Sequence, residues 1–125
     1  MTESADAVAF DRHLDATAPG TADVARALRV TVLAAFPGAV EWFDPGNGLL
    51  AIGWSRSMKD LAFAIIPHRS HVNLQLADGA LLADPGGRIE GTGKRFRHVK
   101  VRSVEDAASA WLRTVVDAQL AYRAG

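Results

Sequence analysis

A glycine-rich segment followed by closely spaced basic residues is the part of this sequence best suited to chemistry. The segment Gly91-Thr92-Gly93-Lys94 has the composition of a loop whose backbone N–H groups turn toward an anion. It is not a Walker A loop, because the earlier glycines are wrongly spaced and Arg95 follows the lysine. No helix start follows, so no helix dipole reinforces anion binding. The segment is either an anion-binding loop or a loop that needs glycine only for its conformation.

Basic residues continue beyond this loop into a predicted strand. Six of the fourteen lysine and arginine residues lie between positions 88 and 102, where Glu90 is the one acidic residue. In a strand over residues 97–102, basic residues alternate with core-facing valines. The face opposite the core then carries His98, Lys100 and Arg102. Such a face can hold a phosphate or carboxylate, or can be a charged edge strand that resists aggregation. Glu90 is interpreted as an ion-pair partner of Lys94 or Arg97, since a carboxylate among cations is a poor general base.

The histidines offer a second candidate site. His68 and His71 have the HxxH spacing that holds a metal when it lies on a helix. Pro67 and the strand patterns around it indicate an extended segment, so the two rings are predicted to lie on different sides of the chain. His71 and Asn73 then share the polar face of a strand near His98. There they form a polar pocket, or they are hydrogen-bonded at the sheet surface.

Composition excludes several kinds of site. The chain has no cysteine, which removes disulfides, thiolate nucleophiles and iron–sulfur clusters. No serine lies in a G-x-S-x-G context. Fourteen basic residues balance fourteen acidic ones, so no overall field attracts nucleic acid or membranes, and Phe96 is the one aromatic residue in the basic run. We therefore predict no catalytic residue, no cofactor and no nucleic-acid or membrane partner. With no long apolar run or basic leader, the protein is expected to be soluble and cytoplasmic, as a monomer or homodimer.

Period-two patterns predict the elements that position these residues. They indicate strands at residues 39–43, 49–54, 61–66, 71–77 and 97–102. The third is apolar on both faces, so it is placed centrally. In the fourth, Val72, Leu74 and Leu76 alternate with His71, Asn73 and Gln75, so one face is buried and the other is open. Asp78-Gly79 is read as a turn.

Helical patterns flank the strands at both ends. A short helix is predicted over residues 6–16, and a second begins at Thr21 as N-cap. The second buries a stripe of Val24, Leu28, Val32 and Phe36. Ser103 and Asp106 predict a capping box at the start of one final helix. Its predicted stripe is Ala107, Ala108, Trp111, Val115, Ala118 and Tyr122. The sequence thus predicts one α+β domain over residues 1–125: a two-layer fold with a mostly antiparallel sheet of about five strands, covered by two N-terminal helices and one C-terminal helix.

Several segments of this sequence are similar to one known family. They are the series from Pro67 to Leu74 (PHRSHVNL), Gly79-Ala80 with Leu82, Asp84-Pro85, Glu90 to Arg95 (EGTGKR) and Arg97 to Lys100 (RHVK). Together they resemble the YdhG-like family of small bacterial domains of unknown function. The resemblance implies a compact two-layer domain with a curved antiparallel sheet and no settled activity. Some relatives are described as frataxin-like iron chaperones, so the resemblance also implies an iron-delivery alternative.

The leading hypothesis is a non-enzymatic binding protein for a small anionic ligand or an acidic protein surface. The predicted ligand-binding residues are His71, Asn73, Glu90, Gly91, Thr92, Gly93, Lys94, Arg97, His98 and Lys100. The alternative, a frataxin-like iron-binding protein, would use Asp11 and Asp15, which share a helix face. A third hypothesis, a hydrolase or transferase with His71 or His98 as base, lacks a nucleophile. No set of metal ligands is assigned from the sequence.

Overall fold

The computed structural model describes residues 3–124, which form an antiparallel sheet with helices before and after it. The helices are α1 Ala5–Thr17, α2 Ala22–Ala35, α3 Val104–Ala107 and α4 Ala110–Ala124. The strands are β1 Val40–Asp44, β2 Leu49–Gly53, β3 Leu61–Pro67, β4 Val72–Leu76 and β5 Arg97–Val101. Their order in the sheet is β1-β2-β3-β4-β5, and each pair is antiparallel. The predicted α+β fold is confirmed.

The central strand is β3, as its unbroken apolar run predicted. Its first five residues are all buried, and it pairs with β2 on one side and β4 on the other. One face of the sheet packs against the helices and forms the main core. Fully buried apolar side chains in this core include Phe10, Leu14, Leu28, Leu50, Phe63, Ile65, Leu74 and Leu112. This face holds the sheet in place, so the opposite face is the one available to other molecules.

The outer face of the sheet divides into an apolar half and a polar half. Strand pairing sets one row of side chains across all five strands: Trp42, Ala51, Ala64, Gln75 and His98. The apolar cluster on this face includes Trp42 and Ala51 at the β1 and β2 end and contains no helix residue among residues 3–124. Toward β4 and β5 the row becomes polar. The outward-facing residues of the predicted site on β4 and β5 lie in this polar half.

The second helix has the predicted stripe but a different start. Val24, Leu28, Val32 and Phe36 are all buried. Thr21 occupies the N-cap position, yet its side chain makes no capping hydrogen bond. Its hydroxyl instead donates to the carbonyl of His68, at 2.8 Å. A residue predicted to stabilise its own helix thus ties that helix to the β3–β4 turn.

The final helix was predicted as continuous, and this was wrong. The chain breaks after α3, where the Ser109 hydroxyl accepts from the backbone N–H of Leu112 at 3.2 Å and so caps α4. The break shifts the buried stripe of α4 to Leu112, Val116 and Gln119, while Tyr122 is 45% exposed. The Ser103 cap is confirmed, since its hydroxyl accepts from Asp106 N–H at 3.0 Å. The Asp106 carboxylate accepts from the N–H of Arg102, so the capping box is half formed.

No helix within residues 3–124 combines the length and the apolar character needed to cross a bilayer.

Candidate anion-binding site

The ten predicted site residues are spread along the full length of β5. Arg97 begins the strand and pairs with Leu76, whereas Val101 pairs with Val72. His71 therefore lies beside Arg102, at the other end of β5. Arg102 is five residues from Arg97, which is roughly 17 Å at about 3.3 Å per strand residue. The structure brings His71, Asn73 and Lys100 together at one end of β5. The loop over residues 91–94 and Arg97 lie at the opposite end.

The glycine loop over residues 91–94 is exposed along its whole length. Its glycines have conformational explanations. Gly91 has a φ of 119°, which favours glycine, and a Cβ on Gly93 would lie 2.5 Å from the carbonyl oxygen of Phe96. The Arg97 guanidinium donates to the carbonyl of Gly93 at 2.8 Å. None of these four residues lines the groove of about 690 Å³ or the clefts of about 240 and 180 Å³ within residues 3–124.

Glu90 bridges β5 but does not pair with the predicted cations. Its backbone exchanges two hydrogen bonds with His98, of 2.7 and 3.0 Å, and extends the sheet past the β5 edge. Its carboxylate lies 3.6 Å from Nζ of Lys100. Lys94 and Arg97 were predicted as its partners, and this was wrong because strand pairing sets Glu90 beside the middle of β5. Glu90 therefore partly neutralises Lys100, the central cation of the strand.

Asp78, read from the sequence only as a turn residue, is the centre of a buried ionic network. Its side chain is fully buried and accepts hydrogen bonds from Gln119 at 2.7 Å, Arg123 at 2.6 Å and Arg95. Burial alone would raise the pKa of Asp78, but the hydrogen bonds from Arg123, Gln119 and Arg95 outweigh burial and lower it. The network anchors the segment before β5 to the last turns of α4. The hydrogen bond to Asp78 gives Arg95 a structural role.

The β3–β4 turn brings two histidine rings into contact. His68 and His71 stack with ring centroids 4.8 Å apart and an interplanar angle of 23°. The prediction that their rings lie on different sides of the chain was wrong. The N–H of His68 donates to the carbonyl of His71 at 2.8 Å, so these residues are the first and last of a four-residue turn. Residues at those two positions lie close in space, unlike residues three apart in a strand.

Asn73 extends this pair onto the outer face. Its Nδ2 lies 3.3 Å from Nε2 of His68, so His68 accepts that hydrogen bond when its ring is neutral with the proton on Nδ1. Asn73 is paired with Lys100 across β4 and β5. The Asn73 Oδ1 atom is buried and has no hydrogen-bond partner among the described residues.

We call the set of outer-face residues around this turn the basic hairpin face: His68, His71, Asn73, Lys100 and Arg102. Burial lowers the pKa of His71, and the charges of His68, Lys100, Arg102 and His98 lower it further. The Glu90–Lys100 contact is the one ion pair that this set makes within residues 3–124. The strand alternation alone would have allowed Arg102 to be included among the predicted site residues. The position of His68 depends on the turn, so the alternation does not reveal it.

Metal binding by three or more protein side chains finds no support. No group of three or more histidine and acidic side chains within residues 3–124 is arranged to hold a metal ion. Asp11 and Asp15, on which the iron alternative depends, both accept hydrogen bonds from Arg26, at 2.5 and 2.7 Å. A guanidinium that occupies both carboxylates competes directly with a cation.

Comparison with known proteins gives no relative: no family model, no curated protein and no solved structure matches this chain. The likeness to the YdhG-like family stays a prediction.

Proposed function

We propose that this protein is a non-enzymatic binding protein for a small anionic ligand, which the basic hairpin face holds. The observation that carries the proposal is geometric: the stacked His68 and His71 rings meet the end of β5 where Lys100 lies opposite Asn73 and Arg102 follows. Bringing cations together has an electrostatic cost, and an anion that binds between them relieves it. Glu90, which contacts Lys100, is the one acidic residue paired with this set in the described chain.

The side chains of the basic hairpin face offer different kinds of contact to an anion. Arg102 presents a planar fork that matches a phosphate or carboxylate, and Lys100 presents a point charge. His68 and His71 each donate a ring N–H when neutral and two when protonated. The Ser70 hydroxyl lies 3.5 Å from Nδ1 of His71, longer than the roughly 2.6–3.2 Å expected between a nucleophile and its base.

Titration with inorganic phosphate at constant ionic strength, followed by amide NMR shifts, tests the proposal. We expect saturable shifts in residues 68–73 and 98–102. The Lys100→Ala variant should bind at least roughly tenfold more weakly, because a hydrogen bond to a charged group contributes about 1.5–3 kcal/mol.

The matched control is Lys94→Ala, which removes a lysine from the glycine loop. Lys94 is exposed and makes no ion pair within residues 3–124, so the variant should bind phosphate like the wild type. An equal loss in both variants would assign the effect to net charge, and a larger loss in Lys94→Ala would move the site to the glycine loop. Either result, or the absence of saturable shifts, contradicts the proposal.

A further inference from the structure

A groove beside the basic hairpin face is the largest of the three cavities described in residues 3–124. Its volume is about 690 Å³, compared with about 240 and 180 Å³ for the other two. Three segments at one end of the domain form it: residues 17–20 at the end of α1 and just after it, residues 47–48 between β1 and β2, and residues 67–69 at the end of β3 and just after it. Ligand pockets for organic molecules have volumes of about 300–1,000 Å³, whereas a lone inorganic anion needs far less.

Contacts between these segments fix the walls of the groove. The Thr21 hydroxyl, which is buried, bonds to the His68 carbonyl at 2.8 Å and joins the first segment to the third. Gly48 has a φ of 65°, and a Cβ there would lie 2.9 Å from Nε2 of His13. The positive φ favours glycine at residue 48, and a larger residue there would require the His13 side chain to move. A groove whose walls are held in this way loses little freedom when it binds a ligand.

Arg69 is the permanently charged side chain in the lining of the groove, and no carboxylate within residues 3–124 lines it. Arg69 is exposed and forms no ion pair within residues 3–124. His13 and His68 add imidazole rings that can donate or accept hydrogen bonds. An unpaired cation in a cleft without carboxylates favours an anionic guest.

The uncharged lining suits an organic body. Pro19 and Pro67 contribute flat apolar surfaces. The Thr17 hydroxyl donates to the His13 carbonyl at 2.8 Å, so it must accept from Nε2–H of His13, 3.0 Å away. A neutral His13 ring therefore keeps Nδ1 as an acceptor. The groove thus combines apolar walls with both donors and acceptors.

His68 joins the groove to the basic hairpin face, since it lines the first and stacks on His71 in the second. We infer that the ligand is a phosphorylated small molecule of about mononucleotide size, with its phosphate at the basic hairpin face and its organic body in the groove. The inference rests on the proposed function, because it assigns the phosphate to that site. It adds the class of ligand.

Inorganic phosphate, ribose 5-phosphate, adenosine 5′-monophosphate and adenosine are suitable probes, measured by NMR titration of the wild-type chain. We expect the nucleotide to bind at least tenfold more tightly than inorganic phosphate. It should shift the amides of Gly20 and Gly48 in the groove, and inorganic phosphate should leave those amides unchanged.

Two variants separate the contribution of the ligand's organic body to binding from that of its phosphate. His13→Ala should remove most of the nucleotide's advantage over inorganic phosphate and leave phosphate affinity within about twofold of wild type. Arg12→Ala, which removes an exposed basic residue from the same helix, is the matched control and should change neither affinity.

The outcomes distinguish this inference from the proposed function. Equal affinities for inorganic phosphate and both phosphorylated probes, or unshifted groove amides, overturn the inference and leave the anion site standing. Adenosine that binds as tightly as its monophosphate overturns the inference too, because the phosphate then contributes nothing. Failure of every phosphorylated probe to bind overturns both. The wild-type amide shifts keep the test valid if His13→Ala does not fold, since His13 packs against Phe43 with ring centroids 5.3 Å apart.

Discussion

Two of the clefts that contain arginine differ in what their arginines contact. The cleft between α1 and α2, of about 240 Å³, contains Arg26 and Arg29. Each is bonded to two carboxylates: Arg26 to Asp11 and Asp15, and Arg29 to Glu3 and Glu41. The hydrogen bonds to Glu41 are the main reason that the pKa of Arg29 is raised above its ordinary value. These cations are already satisfied by the protein itself.

The groove at the β3–β4 turn is the reverse case. Arg69 and His68 form no ion pair within residues 3–124, and the acidic residues of the chain lie elsewhere. The number of basic residues in a cleft therefore says little about binding. Whether a cleft can bind an anion depends on whether carboxylates of the protein already pair with its basic residues. We expect paired cations to contribute to stability and unpaired ones to contribute to binding.

The largest expected effect lies where a single acid pairs with several donors. Asp78→Ala should lower the free energy of unfolding by about 3 kcal/mol, because the buried Gln119 and the partly buried Arg123 lose their acceptor. Chemical denaturation measures this. The pKa of Asp78 is lower in the folded state, so its contribution is complete above about pH 4 and is lost as the pH falls through the folded value.

Asp117→Ala is the matched control for Asp78. Asp117 pairs with Arg113 at 3.0 Å on the exposed face of α4, and such surface pairs contribute little. A similar loss of stability in both variants would mean that burial of the Asp78 network has no special importance.

A smaller effect compares one arginine from each cleft. Arg29→Ala should lower the free energy of unfolding by about 2 kcal/mol, since the Glu41 side chain, only 10% exposed, loses its charged partner. Arg69→Ala should leave the unfolding curve unchanged and weaken binding of adenosine 5′-monophosphate, because Arg69 lines the groove. Urea denaturation of both variants beside titration with this nucleotide checks the pair. Equal destabilisation, or nucleotide binding that survives Arg69→Ala but not Arg29→Ala, would break the comparison.

The smallest expected effect is the pH dependence of stability that His71 contributes. Burial and the charges of His68, Lys100, Arg102 and His98 lower the pKa of His71 in the folded state. The unfolded chain therefore takes up this proton first, so the neutral ring stabilises the fold above about pH 6.5 and this contribution is lost as the pH falls. Melting temperatures of wild type and His71→Gln should converge toward about pH 5. Added phosphate should reduce the loss in the wild type, and parallel curves at every pH would contradict this account.

The fold followed from the sequence wherever burial alone sets the pattern. The alternation in β4 predicted which side chains face the core, since Val72, Leu74 and Leu76 are fully buried and Asn73 and Gln75 are not. The same rule gave the faces of β5, because an antiparallel sheet covered on one side requires it. These local periodicities also gave the order of helices and strands.

The site depended on contacts that no local pattern contains. Asp78 finds Gln119 at a separation of 41 residues, and nothing near Asp78-Gly79 indicates a buried charge. His68 and His71 were assigned to an extended chain, although Ser70 and Arg69 between them form a turn. The glycine loop was weighted for its composition, whereas its glycines follow from backbone geometry. Chain connectivity across the turn, rather than residue type, determines which basic groups meet.

β5 is an edge strand of the sheet, and this position determines how the site would open locally. One side of β5 pairs with β4, and the other, within residues 3–124, has only the bridge to Glu90. Strands held in this way exchange their amide hydrogens through local opening that leaves the core folded. Such opening would carry Lys100 and Arg102 away from the histidine pair, which belongs to a separate hairpin. The affinity of the site therefore includes the free energy of closing one edge strand, and a bound anion would slow exchange there first.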